Sequence, residues 1–220
     1  MKPIFSPKNI DFSGKGKYSF DKDERKKLNK LVREANKFGV NLGVAEKPKE
    51  YAPVVVDIDL ELEKDDYEKS SKFKEIGRLY DNDFVLNVID LYRTYIKDYL
   101  DVADSELQAC VLEKDKMTEK ENSYKDGIHL IFPYICAHFK VRHTIRQKVV
   151  DKAKEIKTFK KYSKSIEDIF DKSIISSNFW IMYGNSKPNC PPYKLTQLIA
   201  HDDSELDIDT LTQETDTEKS

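Results

Sequence analysis

Val54-Val55-Val56-Asp57-Ile58-Asp59-Leu60 is the stretch on which the reading of this chain turns. Its β-branched run predicts a strand. Side chains alternate across a strand, so Asp57 and Asp59 share one face while Val56 and Ile58 share the other. Two carboxylates side by side repel, and desolvation beside an apolar strand raises the cost of ionising both. A divalent cation resolves the conflict, because a hard ion such as Mg²⁺ takes carboxylate oxygens readily. The pair points to metal-dependent phosphoryl transfer, with a solvated strand end as the plainer alternative.

Working outward, 220 residues and 25.7 kDa suffice for one well-buried domain. Charged residues make up 35% and hydrophobic residues 39%, the balance of a soluble protein with a heavily solvated surface. Lys and Arg number 38 against 40 Asp and Glu, so no global basic field announces nucleic acid. Locally the charge is uneven: residues 140–164 are basic, whereas residues 201–220 carry eight acids and one lysine. Three cysteines (Cys110, Cys136, Cys190) form no CxxC pair and no complete disulfide set, which favours a reducing compartment. There is no apolar leader and no run near the ~18 apolar residues a membrane helix needs. The expected location is intracellular, the host cytoplasm or nucleus if the source is viral.

Periodicity places the other elements. Asp21 to Asn36 reads as a charged surface helix, and Phe38 to Glu46 as a strand. Residues 61–79 read as a polar connector. Val85, Val88, Ile89, Tyr92 and Ile96 recur at helical spacing, with Asp81 or Asp83 as cap. Short strands are expected at Leu107–Leu112, at Gly127–Pro133 (ended by its proline), at Asn178–Tyr183 and at Tyr193–Ile199. A second helix is expected from Phe139 to Phe159, with Ile145, Val149 and Ala153 inward and its basic residues outward, and a short third helix from Lys164 to Phe170. The mixture implies an α/β or α+β domain with a mainly antiparallel or mixed sheet. The expected boundaries are 1–37 for an N-terminal extension and surface helix, 38–200 for the catalytic domain, and 201–220 for an acidic, disordered tail or linker to a further C-terminal part.

Three further blocks stand beside the acidic strand: Lys125-Asp126-Gly127-Ile128-His129, Asp171-Lys172-Ser173-Ile174-Ile175, and Asn178 through Trp180 to Lys187-Pro188. In order and spacing they resemble the primase domain of the archaeo-eukaryotic primase superfamily, and more narrowly the N-terminal domain of poxvirus-type primase–helicases of large DNA viruses. The resemblance covers about residues 38 to 199. Asp57 and Asp59 match the Asp-x-Asp motif, His129 the histidine motif, and Asp171 the later lone acid. The position two before the histidine, often Ser in that superfamily, is Gly127 here. Glycine permits close backbone approach to a phosphate but removes a hydroxyl contact. The chain has no GxxxxGK[ST] loop, so an ATPase in a parent protein would lie beyond Ser220.

The resemblance implies an α+β fold with an RRM-like catalytic core flanked by helices. It also implies template-directed nucleotidyl transfer on single-stranded DNA, with nucleoside triphosphates as substrates and a helicase domain as partner in the parent chain. Two divalent cations, Mg²⁺ or Mn²⁺, ~3.5–4 Å apart would clamp the attacking and leaving oxygens. The resemblance assigns Asp57, Asp59 and Asp171 as their ligands and His129 as a donor to the nucleotide phosphates. Lys187, Ser186 and, more weakly, Lys125 are candidate triphosphate contacts. Lys140, Arg142 and Arg146 are candidate template contacts, with a merely solvated helix face as the alternative. Trp180 and Tyr183 read as packing residues rather than base-stacking platforms. Cys136, His138, His143 and Cys190 lack the spacing of a zinc knuckle, and structural zinc is not expected. A catalytically weak DNA-binding or helicase-recruiting module and a metal-dependent nuclease are the alternative functions.

Overall fold

The acidic strand and the histidine strand are both longer than their motifs, and they pair with one another over thirteen residues. The computed structural model describes residues 18–187 and 190–208. Along the chain come α1 (Lys22–Lys37), β1 (Ala45–Glu46), β2 (Tyr51–Glu63), α2 (Lys64–Lys69), α3 (Ser71–Ile76), α4 (Asn82–Tyr99) and β3 (Ala109–Glu113). There follow β4 (Thr118–Glu119), β5 (Ser123–His138), α5 (Phe139–Ala153), α6 (Ile166–Ile169), α7 (Ser173–Ser176), β6 (Trp180–Ile181), β7 (Lys194–Ile199) and β8 (Glu205–Leu206).

Among the described residues the main sheet has six strands in the order β2-β5-β3-β7-β8, with β4 hydrogen-bonded to β5, and every pair is antiparallel. The fold is α+β. Alternation sorts the sheet into two unlike faces. Val54, Val56, Ile58, Leu60 and Leu62 of β2, and Ile128, Leu130 and Phe132 of β5, are buried in the core. There they meet Val85, Val88, Ile89, Tyr92 and Ile96 of α4 and Ile145, Val149 and Val150 of α5. The opposite face carries Asp57, Asp59 and His129 next to a smaller apolar cluster of Cys110, Leu112 and Leu198. Helices therefore cover one face and leave the other for chemistry.

Local chemistry accounts for the element ends. Asp21 caps α1 in a reciprocal box with Glu24, and Asp81 caps α4 by accepting from the Phe84 N–H. The expected strand at 38–46 shrinks to Ala45–Glu46, since Gly39 and Gly43 take left-handed backbone at φ 69° and 64°. The expected connector at 61–79 instead contains the end of β2 and two short helices, each pinned by one aromatic, Tyr67 or Phe73.

Proline does not end β5 at Pro133. The register jumps from Val54 opposite Phe132 to Pro53 opposite Cys136, so Pro133 lies in an irregularity where its missing N–H breaks no ladder bond. α5 ends at Ala153 rather than Phe159, and a 3-10 segment at Lys157–Lys161 follows. The expected Asn178–Tyr183 strand is confined to β6, which pairs with β1. Of the acidic tail, Glu205–Leu206 pairs with β7 and Asp203 Oδ1 lies 2.5 Å from Arg93, so residues up to 208 extend the sheet rather than leave it. Residues 1–17 of the expected extension, residues 209–220 of the tail and Pro188 of the third block lie outside the described residues.

Ile58 is fully buried between the two acids and forms a bridge to Phe170. Ile58→Ala is expected to cost about 2–5 kcal/mol, read from urea denaturation, because the cavity opens under the strand that presents both carboxylates.

Candidate active site

Strand register sets the site. β2 and β5 place Asp57 opposite His129 and Asp59 opposite Gly127, and His129 Nε2 stands 3.5 Å from Asp57 Oδ1. The third acid is carried in by the backbone: Asp171 N–H donates to the Asp57 carbonyl at 3.0 Å, one residue after the Phe170–Ile58 bridge. The Asp171 carboxylate then accepts from Ser173 N–H at 2.8 Å and Ser173 Oγ at 2.6 Å, which aims it across the turn into α7. Asp57, Asp59, His129 and Asp171 thus line one depression, together with Lys114, Lys125, Ser186 and Lys187.

Two expected template contacts serve a different purpose. Arg142 and Arg146 lie in the buried layer under α5, so the expectation that the basic residues of this helix all point outward is corrected for both. Arg146 donates through Nε to the Phe170 carbonyl at 2.9 Å and through Nη2 to the Glu167 carbonyl at 2.5 Å. It caps the end of α6 and fixes the residue before Asp171. Arg142 donates to the Lys49 carbonyl at 2.8 Å. The Phe170 carbonyl, on a buried residue, is paired in this way, whereas Arg142 leaves its buried Nε and Nη1 without a partner among the described residues. Lys140 remains exposed.

Electrostatically, each acid already has a partner. Asp59 Oδ1 pairs with Lys125 at 3.2 Å and Oδ2 with Lys164 at 3.3 Å. Burial pushes the Asp59 carboxyl up, but the two ammonium groups outweigh it and hold it below the usual range. Among the described residues no group of three or more His, Cys, Asp or Glu side chains forms a ready-made metal cage. The donor set nevertheless fits a hard dication of the Mg²⁺ kind, which keeps several waters and binds through one or two carboxylates plus substrate phosphates. Lys125 and Lys164 offset the charge of Asp59, and His129 faces Asp57.

His129 is packed by two aromatic rings. Its ring stacks on Tyr193 at 3.5 Å between centroids, 19° from parallel, and Trp180 lies 4.4 Å away on β6. Trp180 therefore packs against a site residue, whereas Tyr183 is exposed. Burial first, and then the nearby Asp57 and Asp59 charges, push the Tyr193 phenol up, so it stays protonated across the physiological range. Gly127 has no room for a side chain: a Cβ would lie 2.8 Å from Tyr193 Oη and 2.9 Å from the Ile58 carbonyl oxygen. Behind it, Asp126 accepts from Arg78 Nε and Nη2, both at 2.8 Å, and from its neighbour's N–H, which anchors β5 at Gly127.

The Gly184–Lys187 turn is clasped by the N-terminal segment. Asn41 Nδ2 donates to Ser186 Oγ at 2.8 Å, and Asn185 Oδ1 accepts from Leu42 and Val44 N–H. Ser186 is mostly buried, with its hydroxyl proton still free to donate, while Lys187 is exposed. Of the residues weighed for zinc, His138 pairs with Glu50 at 2.9 Å and His143 with Ser176 Oγ at 3.0 Å, while Cys136 and Cys190 are exposed. No helix among the described residues is long and apolar enough to cross a membrane.

Sequence reasoning missed Lys164, Tyr193, Lys114 and the Arg78–Asp126 pair. Each reaches the site by long-range packing, and the only local signal was the side-chain-free position at Gly127.

Two acids on one face of a strand, a histidine on its neighbour and a third acid tied to the first by the backbone are the arrangement of an archaeo-eukaryotic primase (AEP) domain. The family model described as the C962R protein N-terminal AEP domain matches residues 9–199, and the chain belongs to that family. The chain is 32% identical over 182 residues to "Putative helicase L207/L206" of Acanthamoeba polyphaga mimivirus, covering 81% of this chain and 18% of that protein. It is 30% identical over 191 residues to "Putative helicase 184R" of Invertebrate iridescent virus 6, covering 79% of this chain and 19% of that protein. A third relative, "Putative helicase 121R" of Invertebrate iridescent virus 3, is 26% identical over 175 residues, 75% of this chain and 18% of that protein. The chain spans about a fifth of the length of these relatives.

Two outcomes are expected of substitutions here. Lys125→Met with Lys164→Met leaves burial to act alone on Asp59, so its carboxyl titrates higher by NMR. The ion pairs stabilise the native chain above the unfolded carboxyl value of about 4 and lose that contribution as pH falls through the lower folded value, so the double variant should lose less stability between about pH 6 and pH 3. Arg146→Met should lower stability by about 1.5–3 kcal/mol in denaturant titrations, since it strands the Phe170 and Glu167 carbonyls.

Proposed function

We propose that this chain is a DNA primase or primase-polymerase domain that synthesises short primers on single-stranded DNA during replication of a large DNA virus. The observation that carries the reading is the convergence of Asp57, Asp59 and Asp171 with His129 midway along the β2–β5 pair, on its site-facing side. A module that only bound nucleic acid would gain nothing from three carboxylates in its cavity, since they repel phosphate. The sheet and its helix layer would serve as the RRM-like core of such an enzyme.

Asp57, Asp59 and Asp171 would hold two divalent cations, Mg²⁺ or Mn²⁺, and these would neutralise the attacking and leaving oxygens when bound. In the step itself the 3′-hydroxyl oxygen forms a bond to the α-phosphorus of the nucleotide, its proton passes to solvent, and the bond to the departing pyrophosphate breaks. Lys125 and Lys164 would release Asp59 as the cations enter. Lys125 would then be free to meet the triphosphate, along with Lys187 as a point charge and Ser186 and His129 as donors. His129, packed by Trp180 and Tyr193, would need little reorganisation to turn its donor from Asp57 to a phosphate. Lys140 on the exposed start of α5 remains a template-backbone contact, whereas Arg142 and Arg146 act as internal braces. The helicase named in the relatives suggests a helicase part in the parent protein, which this domain would supply with primed template.

The test is primer synthesis on single-stranded DNA with labelled nucleotides and Mg²⁺ or Mn²⁺. Short products from the native chain that fall by at least about a thousandfold in Asp57→Ala/Asp59→Ala, with folding intact, are expected. Absence of products from the native chain, with template binding equal in both proteins, would make the domain a binding module instead.

A further inference from the structure

The site-facing row of β5 reads Lys125, Gly127, His129, alternate residues of one strand face. The outer two reach across to the acids, Lys125 to Asp59 at 3.2 Å and His129 to Asp57 at 3.5 Å. The middle position is empty of side chain, yet the space is filled. A Cβ at residue 127 would meet Tyr193 Oη at 2.8 Å, and Asp59 Oδ1 lies only 3.8 Å from the same point. A phenol from the residue just before β7 therefore fills the space over Gly127, between Lys125 and His129 in the row.

Two further observations bear on that hydroxyl. Among the described residues it has no hydrogen-bond partner, although Tyr193 lines the same depression as Ser186 and Lys187 and carries Lys114 Nζ 4.7 Å over its ring. A hydroxyl without a partner, on a ring that carries a lysine ammonium over it and stacks on an imidazole, is free to donate to an anion. The three carboxylates whose charges act on the phenol are already held, Asp59 by Lys125 and Lys164, Asp57 by His129 and Asp126 by Arg78. The ring, stacked on His129, is fixed in place, so the donor is aimed before any ligand arrives.

We propose that Tyr193 binds the polyphosphate of the incoming nucleotide through its hydroxyl, completing a row of three donors with Lys125 and His129. This rests on the nucleotidyl-transfer reading and adds to it a residue that replaces the side chain missing at Gly127.

The chain has a single tryptophan, Trp180, 4.4 Å from the His129 ring, so its fluorescence reports occupancy directly. The full chain is titrated with a Mg²⁺–deoxynucleoside triphosphate and separately with the matching nucleoside. Tyr193→Phe, which keeps the stacked ring, is expected to weaken the triphosphate roughly tenfold and to leave nucleoside affinity and melting temperature unchanged. Tyr193→Ala, which also frees His129, is expected to weaken the triphosphate further. Unchanged triphosphate affinity in Tyr193→Phe overturns the proposal and leaves the tyrosine a packing residue. Equal losses for triphosphate and nucleoside overturn it as well, because they mark a displaced ring. A native chain that binds no triphosphate at all would instead overturn the primase reading, and this inference with it.

Discussion

The antiparallel register between β2 and β5 is the constraint on which the remainder of the site depends. Thirteen paired residues hold Asp57 against His129 and Asp59 against Gly127. A slip of one residue would turn both acids into the helix-covered core and expose Val56 and Ile58. The slip is prevented by burial: the inward residues of both strands lie against α4 and α5. Apolar packing on one face thus fixes polar geometry on the other, and the third acid inherits that precision through the Phe170–Ile58 bridge and the Asp171 N–H bond to Asp57.

Charge management follows from the same geometry. Three carboxylates directed into one depression would repel each other, and the structure meets them with Lys125, Lys164, His129 and the Ser173 donors. These partners suit exchange. Lysine ammonium groups on flexible stems can move from a carboxylate to a phosphate, while the buried guanidinium of Arg146 has a fixed structural task. The domain divides its cations accordingly, with rigid arginines within the core and mobile lysines at the cavity.

Much of this was legible from the residues. The β-branched run announced β2 and its two-faced character, helical spacing gave α4 with Asp81 or Asp83 as its cap (the structure selects Asp81), and the motif blocks named Asp57, Asp59, His129 and Asp171, which line one depression. What escaped depended on partners distant in sequence. The six-residue helices α2 and α3 have no room for a period, and a single aromatic anchors each. Pro133 signalled a strand end because the irregularity that accommodates it is a property of the pair, not of β5. Arg142 and Arg146 looked like surface charge because the carbonyls they satisfy come from elsewhere in the chain. Tyr193 could be connected to Gly127 only once β7 was placed beside β3.

The central claim is that Asp57, Asp59 and Asp171 together hold the divalent cations, and it is tested most directly by Mn²⁺ binding followed by electron paramagnetic resonance in the presence of a nucleoside triphosphate. The account predicts protein-dependent Mn²⁺ uptake that Mg²⁺ displaces and that is lost in both Asp57→Ala and Asp171→Ala. Uptake that survives either substitution unchanged would contradict it.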